Sequence, residues 1–194
     1  DIDEVGKPLK IDWNEGCKIE TIAFGHGITT TILQLAKGYA IISNGGYEIT
    51  PTLIKDNSNK KIKRLKVLSN DVSKKMNIMM RKVVSEGTAK LVNVEGYQVG
   101  GKTGTAEQVS NSIYSKTKIN TLASIFPTDN PKFVLVVMLE STKNNKDYTY
   151  EYRDGSGFKL LGSPRNTAGW TTVEAAGKII DKIGPILATK YIEN

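Results

Sequence analysis

The chain has 194 residues, of which 39% are hydrophobic and 24% are charged, as is ordinary for a globular domain with a hydrophobic core. No run of 18 or more apolar residues occurs, so we expect no membrane segment in this chain, and its first residues do not resemble a signal peptide. One cysteine, Cys17, excludes an internal disulfide, and one histidine, His26, leaves too few zinc ligands. The sequence therefore predicts neither a metal nor a cofactor.

The net charge of +7 is concentrated in one part of the chain. Residues 55–82 hold ten Lys and Arg residues against two acidic ones, a net charge of +8, whereas the other 166 residues carry −1. This segment has no aromatic side chain on which a nucleobase could stack, so we expect no nucleic-acid partner. We interpret it as a solvated surface that faces anionic polymers or lipid headgroups.

Two helices are predicted in the first half of the chain, after a poorly periodic stretch of 25 residues. Any of three threonines at 29–31 can cap the first helix, which has apolar side chains on one face and ends at the glycines of 44–46. Residues 47–54 read as a short strand interrupted by Pro51. The second helix starts near residues 69–71 and stops at Gly87, with a methionine stripe that we assign to core packing.

The second half predicts three strands and a terminal helix. The strands are placed at 97–105, 121–126 and 133–139, and the short turn at 128–131 requires its two neighbours to be antiparallel. The third strand is nearly all apolar, so we expect it in the middle of the sheet with both faces covered.

A long polar connection spans residues 140–170. Thr171 and Glu174 then form a predicted capping box for a helix that runs to about Leu187 and packs on the sheet. The fold class predicted from this order is α+β, an antiparallel sheet with packed helices.

The stretch 99–107 contains the candidate chemistry, the triplet Lys102-Thr103-Gly104. A lysine on a strand offers a fixed cation to a substrate carboxylate, and the hydroxyl of Thr103 can bind that carboxylate or relay a proton. Gly104 lets a substrate backbone approach the strand closely, as an added β-strand would. The triplet alone is a weak signal, because a lysine on an exposed strand beside a turn would look the same.

The surroundings of the triplet make the signal specific. In this order and over about residues 20–140, the chain resembles class B penicillin-binding proteins, which are peptidoglycan D,D-transpeptidases. The likeness is greatest to their septal, cell-division branch and next to their cell-elongation branch. The stretches that carry the resemblance are 23–28 (AFGHGI), 33–36 (LQLA), 43–46 (SNGG), 86–89 (EGTA), 100–106 (GGKTGTA), and 126–127 (FP) with 129–131 (DNP).

The resemblance implies specific roles on a penicillin-binding protein or serine β-lactamase-like fold. Lys102 and Thr105 are the implied catalytic residues, because Lys102 lies in the cleft and the backbone N–H of Thr105 contributes to the oxyanion hole. Thr103, Gly104 and Thr105 are the implied substrate-binding residues, and Thr103 binds the substrate carboxylate. The implied partners are peptidoglycan stem peptides, β-lactam antibiotics and, for the parent protein, divisome proteins. The implied location is a periplasmic domain of a parent anchored in the inner membrane.

One departure from the family is central. The family's nucleophilic serine lies in Ser-x-x-Lys, upstream of a Ser-x-Asn motif, and we find no Ser-x-Asn here. Ser58 and Ser156 formally match Ser-x-x-Lys, but both lie in polar loops with no placed base. We assign His26 a structural role, since the family does not use its position for catalysis.

We therefore predict that residues 1–194 are the C-terminal portion of a single transpeptidase domain, without the nucleophile and inactive alone. The alternative is a penicillin-sensing binding domain on the same fold.

Overall fold

A computed structural model describes residues 18–23, 25, 27–54, 64–110, 113–143, 147, 149–151, 157–159 and 166–191. The helices in this part of the chain are α1 (Lys18–Ala23), α2 (Ile32–Ser43), α3 (Asn70–Ser85) and α4 (Thr172–Tyr191). The strands are β1 (Gly100–Ser110), β2 (Ile113–Phe126), β3 (Phe133–Glu140), β4 (Thr149–Glu151) and β5 (Gly157–Lys159). Two short 3₁₀ turns, Lys90–Val92 and Ala168–Trp170, are called the 90–92 turn and the 168–170 turn.

The main sheet has the strand order β1-β2-β3, and both pairs are antiparallel. Gly100 lies opposite Ile125 at one end of β1, and Phe126 lies opposite Phe133 where the chain turns from β2 into β3. This confirms the prediction of three sequential antiparallel strands. β4 and β5 form a separate two-stranded antiparallel sheet.

Helix α4 covers one face of the main sheet. Because side chains alternate along a strand, Leu122 and Phe126 of β2 point to the same face. They belong to one buried cluster with Val173, Ala176 and Ile180 of α4, which confirms that the terminal helix packs on the sheet. The ring of Phe133 extends this contact to Tyr191 in the last turn of α4, with the ring centroids 5.9 Å apart.

Helices α2 and α3 pack on the other face and against each other. A buried serine joins them, since the hydroxyl of Ser73 donates to the carbonyl of Ile42 at 2.6 Å and accepts from the amide of Gly45 at 3.0 Å. Both predicted starts are confirmed. Thr31 and Gln34 form a complete capping box at α2, and Ser69 caps α3.

Two of the predicted strands are corrected by the structure. Residues 47–54 do not form a strand, because only Tyr47 pairs, in an isolated bridge to Lys66, while Leu53 is 89% exposed. Strand β3 does not lie in the middle of the described sheet but at its edge, and it is only half-buried. The apolar sequence of β3 therefore reflects its packing against helices α2 and α4 and not a central position in the sheet.

Element boundaries also differ from the predictions. β1 begins at Gly100 rather than at residue 97, because Gln98 has a positive φ of 45° that is incompatible with an extended strand. α4 starts at Thr172, and the hydroxyl of Thr171 donates to the carbonyl of Thr167. The same helix continues to Tyr191, beyond the predicted end at Leu187.

Other sequence-based assignments have mixed outcomes. Met80 is buried as expected for core packing, but Met79 is 53% exposed. No helix among the described residues is both long and apolar enough to cross a membrane. The predictions for Cys17, His26, Ser58 and Ser156 lie outside the described residues, as does much of the basic segment, at 55–63.

Two glycines of β1 should respond differently to alanine. A Cβ at Gly101 would lie 2.6 Å from the carbonyl oxygen of Ala123, whereas at Gly104 the nearest atom is the Cβ of Thr121 at 4.0 Å. We expect Gly101→Ala to lower the free energy of unfolding by about 1–3 kcal/mol through overpacking. Gly104→Ala, the matched control, should change it by less than ~0.5 kcal/mol. Urea denaturation measures both, and equal stabilities would contradict the close approach at Gly101.

Candidate active site

The candidate site is built on β1, which has a neighbour on only one side in the described sheet. At Gly101 the strand is pressed against the backbone of β2, while at Gly104 the space above the strand is open. Every second backbone N–H and C=O of an end strand points away from its neighbour and is available to another chain. β1 therefore offers a hydrogen-bonding edge beside the Lys102-Thr103-Gly104 triplet.

The hydroxyl of Thr103 is held by a second threonine from a distant part of the sequence. Its Oγ1 lies 2.9 Å from the Oγ1 of Thr88, and either atom can be the donor. Thr88 follows the C-terminal end of α3 and is exposed, whereas Thr103 is half-buried. The pair restricts the rotation of the Thr103 side chain and leaves one hydroxyl proton for another acceptor.

The 168–170 turn contacts Thr105 of β1 and the backbone of Thr88. The backbone N–H of Ala168 donates to the Oγ1 of Thr105 at 3.0 Å. A Cβ on Gly169 would lie 2.8 Å from the carbonyl oxygen of Thr88, so a larger residue there would displace the Thr88 loop. The turn thus supports β1 at Thr105 and the Thr88 loop at Gly169.

Lys102 lies on the opposite face of β1 from Thr103 and Thr105, because side chains alternate along a strand. Its side chain is exposed, and its Nζ donates to the backbone carbonyl of Thr103 at 2.6 Å. The structure therefore brings the two threonine side chains to one face and leaves the ammonium group beside the strand backbone. Gly104, which lies between Thr103 and Thr105 along the strand, is exposed.

This arrangement suits the recognition of a small anion at the end of a peptide. The hydroxyls of Thr103 and Thr105 lie on one face of the strand and can donate hydrogen bonds to a carboxylate, and donors of this kind are strengthened when the acceptor is charged. The ammonium group of Lys102 adds positive charge beside the strand backbone. Among the residues described, no group of three His, Cys, Asp or Glu side chains could hold a metal ion.

Three contributors to this site were not assigned a role from the sequence: Thr88, Ala168 and Gly169. Thr88 lies within the stretch 86–89 that carried part of the family resemblance, so its motif was visible but its contact with Thr103 was not. Ala168 acts through its backbone N–H and Gly169 through its lack of a side chain, and neither leaves a local sequence signal.

Comparison with known proteins gives one family match and several relatives. The family described as penicillin binding protein transpeptidase domain matches residues 3–155. A probable peptidoglycan D,D-transpeptidase FtsI from Caulobacter vibrioides is 29% identical over 205 aligned positions, covering 95% of this chain and 32% of the relative. Stage V sporulation protein D from Bacillus subtilis is 35% identical, covering 63% of this chain and 21% of the relative. The chain thus spans about a third or less of the length of these relatives.

Solved structures give the same fold. The transpeptidase domain of penicillin-binding protein 3 from Burkholderia pseudomallei superposes with a TM-score of 0.71 at 24% identity, over 92% of this chain and 50% of that one. Penicillin-binding protein 3 from Mycobacterium tuberculosis superposes with a TM-score of 0.59 at 28% identity, over 82% of this chain and 37% of that one. These similarities confirm the α+β fold predicted from the sequence.

The bond from Ala168 to Thr105 can be tested by removing the acceptor alone. Thr105→Val has nearly the same shape but no hydroxyl, so the amide of Ala168 should exchange with solvent faster, and the protein should lose about 1 kcal/mol of stability. Thr105→Ser keeps the acceptor and serves as the control. Hydrogen exchange followed by mass spectrometry on peptides covering 166–172 measures the effect. Equal protection of that amide in the two variants would show that the bond does not anchor the turn.

Proposed function

This chain belongs to the penicillin-binding protein transpeptidase family, and from that premise we propose that the protein containing it is a peptidoglycan D,D-transpeptidase. The class B family predicted from the sequence is thereby confirmed. The observation that carries the proposal is the placement of the Lys102-Thr103-Gly104 triplet on an end strand, with Thr103 bonded to Thr88 and Thr105 bonded to the 168–170 turn.

The proposed reaction proceeds through an acyl-enzyme. A serine of a Ser-x-x-Lys motif upstream of residue 1 attacks the D-Ala-D-Ala carbonyl of a stem peptide, the peptide bond breaks, and the terminal D-Ala leaves. An amine of a neighbouring stem peptide then attacks the ester and releases the serine. The same serine reacts with a β-lactam. This chain supplies the strand along which the stem peptide is held.

Each site residue has a separate part in this proposal. Thr103 donates its hydroxyl proton to the substrate carboxylate, and Thr88 fixes the direction of that hydroxyl. Lys102 supplies positive charge to the cleft. The backbone N–H of Thr105 stabilises the negative oxygen that forms during attack, a role in which one donor contributes about 10²–10³ in rate. Gly104 leaves room for the substrate backbone, in agreement with the open space above it.

We propose residues 1–194 as the C-terminal portion of the transpeptidase domain, with the Ser-x-x-Lys and Ser-x-Asn motifs in the preceding part of the parent. We also propose a role in septal cell division, with divisome partners, which the similarity to relatives named FtsI supports. On the same ground we assign the domain to the periplasm of a parent anchored in the inner membrane. The alternative of a penicillin sensor predicts acylation without cross-linking, so an assay for cross-linked peptide separates the two functions.

Substitutions at the triplet should slow acylation of the full-length protein. Thr103→Val removes a charge-assisted hydrogen bond worth roughly 1.5–3 kcal/mol, so the second-order rate of labelling by a fluorescent penicillin should fall on the order of 10-fold to 100-fold. Thr103→Ser keeps the hydroxyl and should retain most of the rate. Lys102→Ala should also slow labelling strongly, whereas Lys132→Ala, which removes an exposed lysine near the turn into β3, should not. Unchanged labelling of Thr103→Val would show that Thr103 does not bind the carboxylate.

The 194-residue chain on its own should form no stable penicillin adduct. Covalent capture needs a nucleophile, a base and an oxyanion hole together, and a carboxylate contact of about 1–3 kcal/mol alone gives an affinity weaker than millimolar. Intact-mass measurement after incubation with a fluorescent penicillin tests this expectation. A stoichiometric adduct mapped to Ser58 or Ser156 would identify a nucleophile within the chain and contradict the proposed arrangement.

A further inference from the structure

A buried asparagine lies on β2 directly opposite Thr105 of the candidate site. Asn120 is the register partner of Thr105 and is fully buried. Its Nδ2 donates to the Oγ1 of Thr142 at 2.9 Å and to the Oδ1 of Asn166 at 2.8 Å. Its own Oδ1 is buried and has no hydrogen-bond partner among the described residues.

The two partners of Asn120 come from opposite ends of one connection. Thr142 follows β3, and Asn166 lies two residues before the start of the 168–170 turn. They are also bonded to each other, because the hydroxyl of Thr142 donates to the Oδ1 of Asn166 and the Nδ2 of Asn166 donates to the carbonyl of Thr142. One amide group therefore fastens both ends of the connection to the middle of the sheet.

Fixing Asn166 also fixes the turn that supports the site. Two residues after Asn166, the N–H of Ala168 donates to the Oγ1 of Thr105, and Gly169 abuts the carbonyl of Thr88. Thr88 in turn bonds the hydroxyl of Thr103. A continuous set of contacts thus runs from Asn120 to both threonines of the substrate strand, while the hydrogen bonds of Asn120 itself go to Thr142 and Asn166.

Stability alone does not account for an asparagine at this position. On the same face of β2, Leu122 and Phe126 are apolar members of the core. A buried amide costs free energy wherever one of its atoms lacks a partner, and the Oδ1 of Asn120 has none within the part of the chain that the structure describes. Ser124, the other buried polar residue on this face, has its hydroxyl bonded to the carbonyl of Leu135. A buried polar group that is only partly satisfied is a departure of the kind expected where function requires a fixed geometry.

We propose that Asn120 is a positioning residue for the acylation step, which holds the 168–170 turn against β1 and thereby sets the positions of Thr103 and Thr105. The inference rests on the proposed transpeptidase function. It assigns to Asn120 no contact with substrate. Asn120 affects the reaction rate of the bound complex, in which a misplacement of reacting groups of the order of 1 Å can lower the rate up to ~100-fold.

The chain offers a matched control for this residue. Asn77 of α3 is also a buried asparagine, its Nδ2 donates to the carbonyl of Ser43 at 3.3 Å, and its Oδ1 likewise has no partner among the described residues. It joins α3 to α2 and has no contact with the 168–170 turn in these bonds. Asn120→Ala and Asn77→Ala therefore remove the same group at similar burial, but only one of them should reach the site.

The experiment compares both variants in the full-length protein with a fluorescent penicillin. We expect Asn120→Ala to lower the acylation rate at saturating penicillin on the order of 10-fold or more, with little change in the concentration for half-maximal rate. We expect Asn77→Ala to lower the melting temperature but to keep the rate within about 2-fold. Asn166→Ala, at a half-buried position, should reproduce the slow acylation and should not add to it in the double variant.

Hydrogen exchange supplies a readout that general destabilisation would not give. Protection of the Ala168 amide should be lost in Asn120→Ala and Asn166→Ala and kept in Asn77→Ala. Equal acylation rates in Asn120→Ala and Asn77→Ala would overturn the positioning role. If Asn120→Ala does not fold, Asn166→Ala decides by the same criteria. Absence of labelling in the unchanged protein would overturn the proposed function itself, which separates the two failures.

Discussion

Strand β1 approaches β2 so closely at Gly101 that no side chain fits between them. This contact occurs in the observed register of the two strands, and the register decides which residues share a face. With Gly101 opposite Ser124, Thr103 lies opposite Leu122 and Thr105 opposite Asn120. A slip of one residue would move both threonines to the other face and exchange them for Lys102 and Gly104. The geometry of the site therefore depends on this register, in which the close approach falls on a residue without a side chain.

The two faces of the sheet provide different things to the site. On the sheet face that α4 covers, Leu122 of β2 lies beside Thr103 and is fully buried, so this part of the sheet packs against the core. On the same face, the 168–170 turn gives Thr105 its bond and confines the Thr88 loop. The opposite face presents the exposed side chain of Lys102. The two threonines are thus held on a well-packed element, as a preorganised site requires, and the ammonium group of Lys102 is bonded to the strand backbone beside them.

The sequence predicted the parts of this structure that local patterns encode. Caps and apolar periodicity located α2 and α3, and a short turn located the β2–β3 pair, because these features depend on residues close in the chain. Two predictions were wrong, the central position of β3 and the strand at 47–54. An apolar run and β-forming residues do not reveal whether a neighbouring strand is present. Tyr47 pairs with Lys66 in an isolated bridge, and Pro51 has no backbone N–H to donate to a β-ladder.

The same distinction holds for the site. The triplet at 102–104 could be identified from its motif, and Gly104 is open as expected. The pairing of Thr88 with Thr103 spans 15 residues, and that of Thr105 with Ala168 spans 63. Contacts of that separation arise from tertiary packing, and one of them uses a backbone N–H that every residue except proline possesses. No local pattern of residue types could have predicted these two contacts.

The bond between Thr88 and Thr103 has no built-in direction, since each hydroxyl can donate to the other. An anion that accepts the proton of Thr103 removes this freedom, because Thr103 can then only accept from Thr88. The pair is in this sense polarised by its ligand, and a donor whose own oxygen accepts a hydrogen bond is a stronger donor. Thr88 therefore acts on an anion that it does not touch. A cation, which has no proton acceptor to offer, would leave the pair free to reverse.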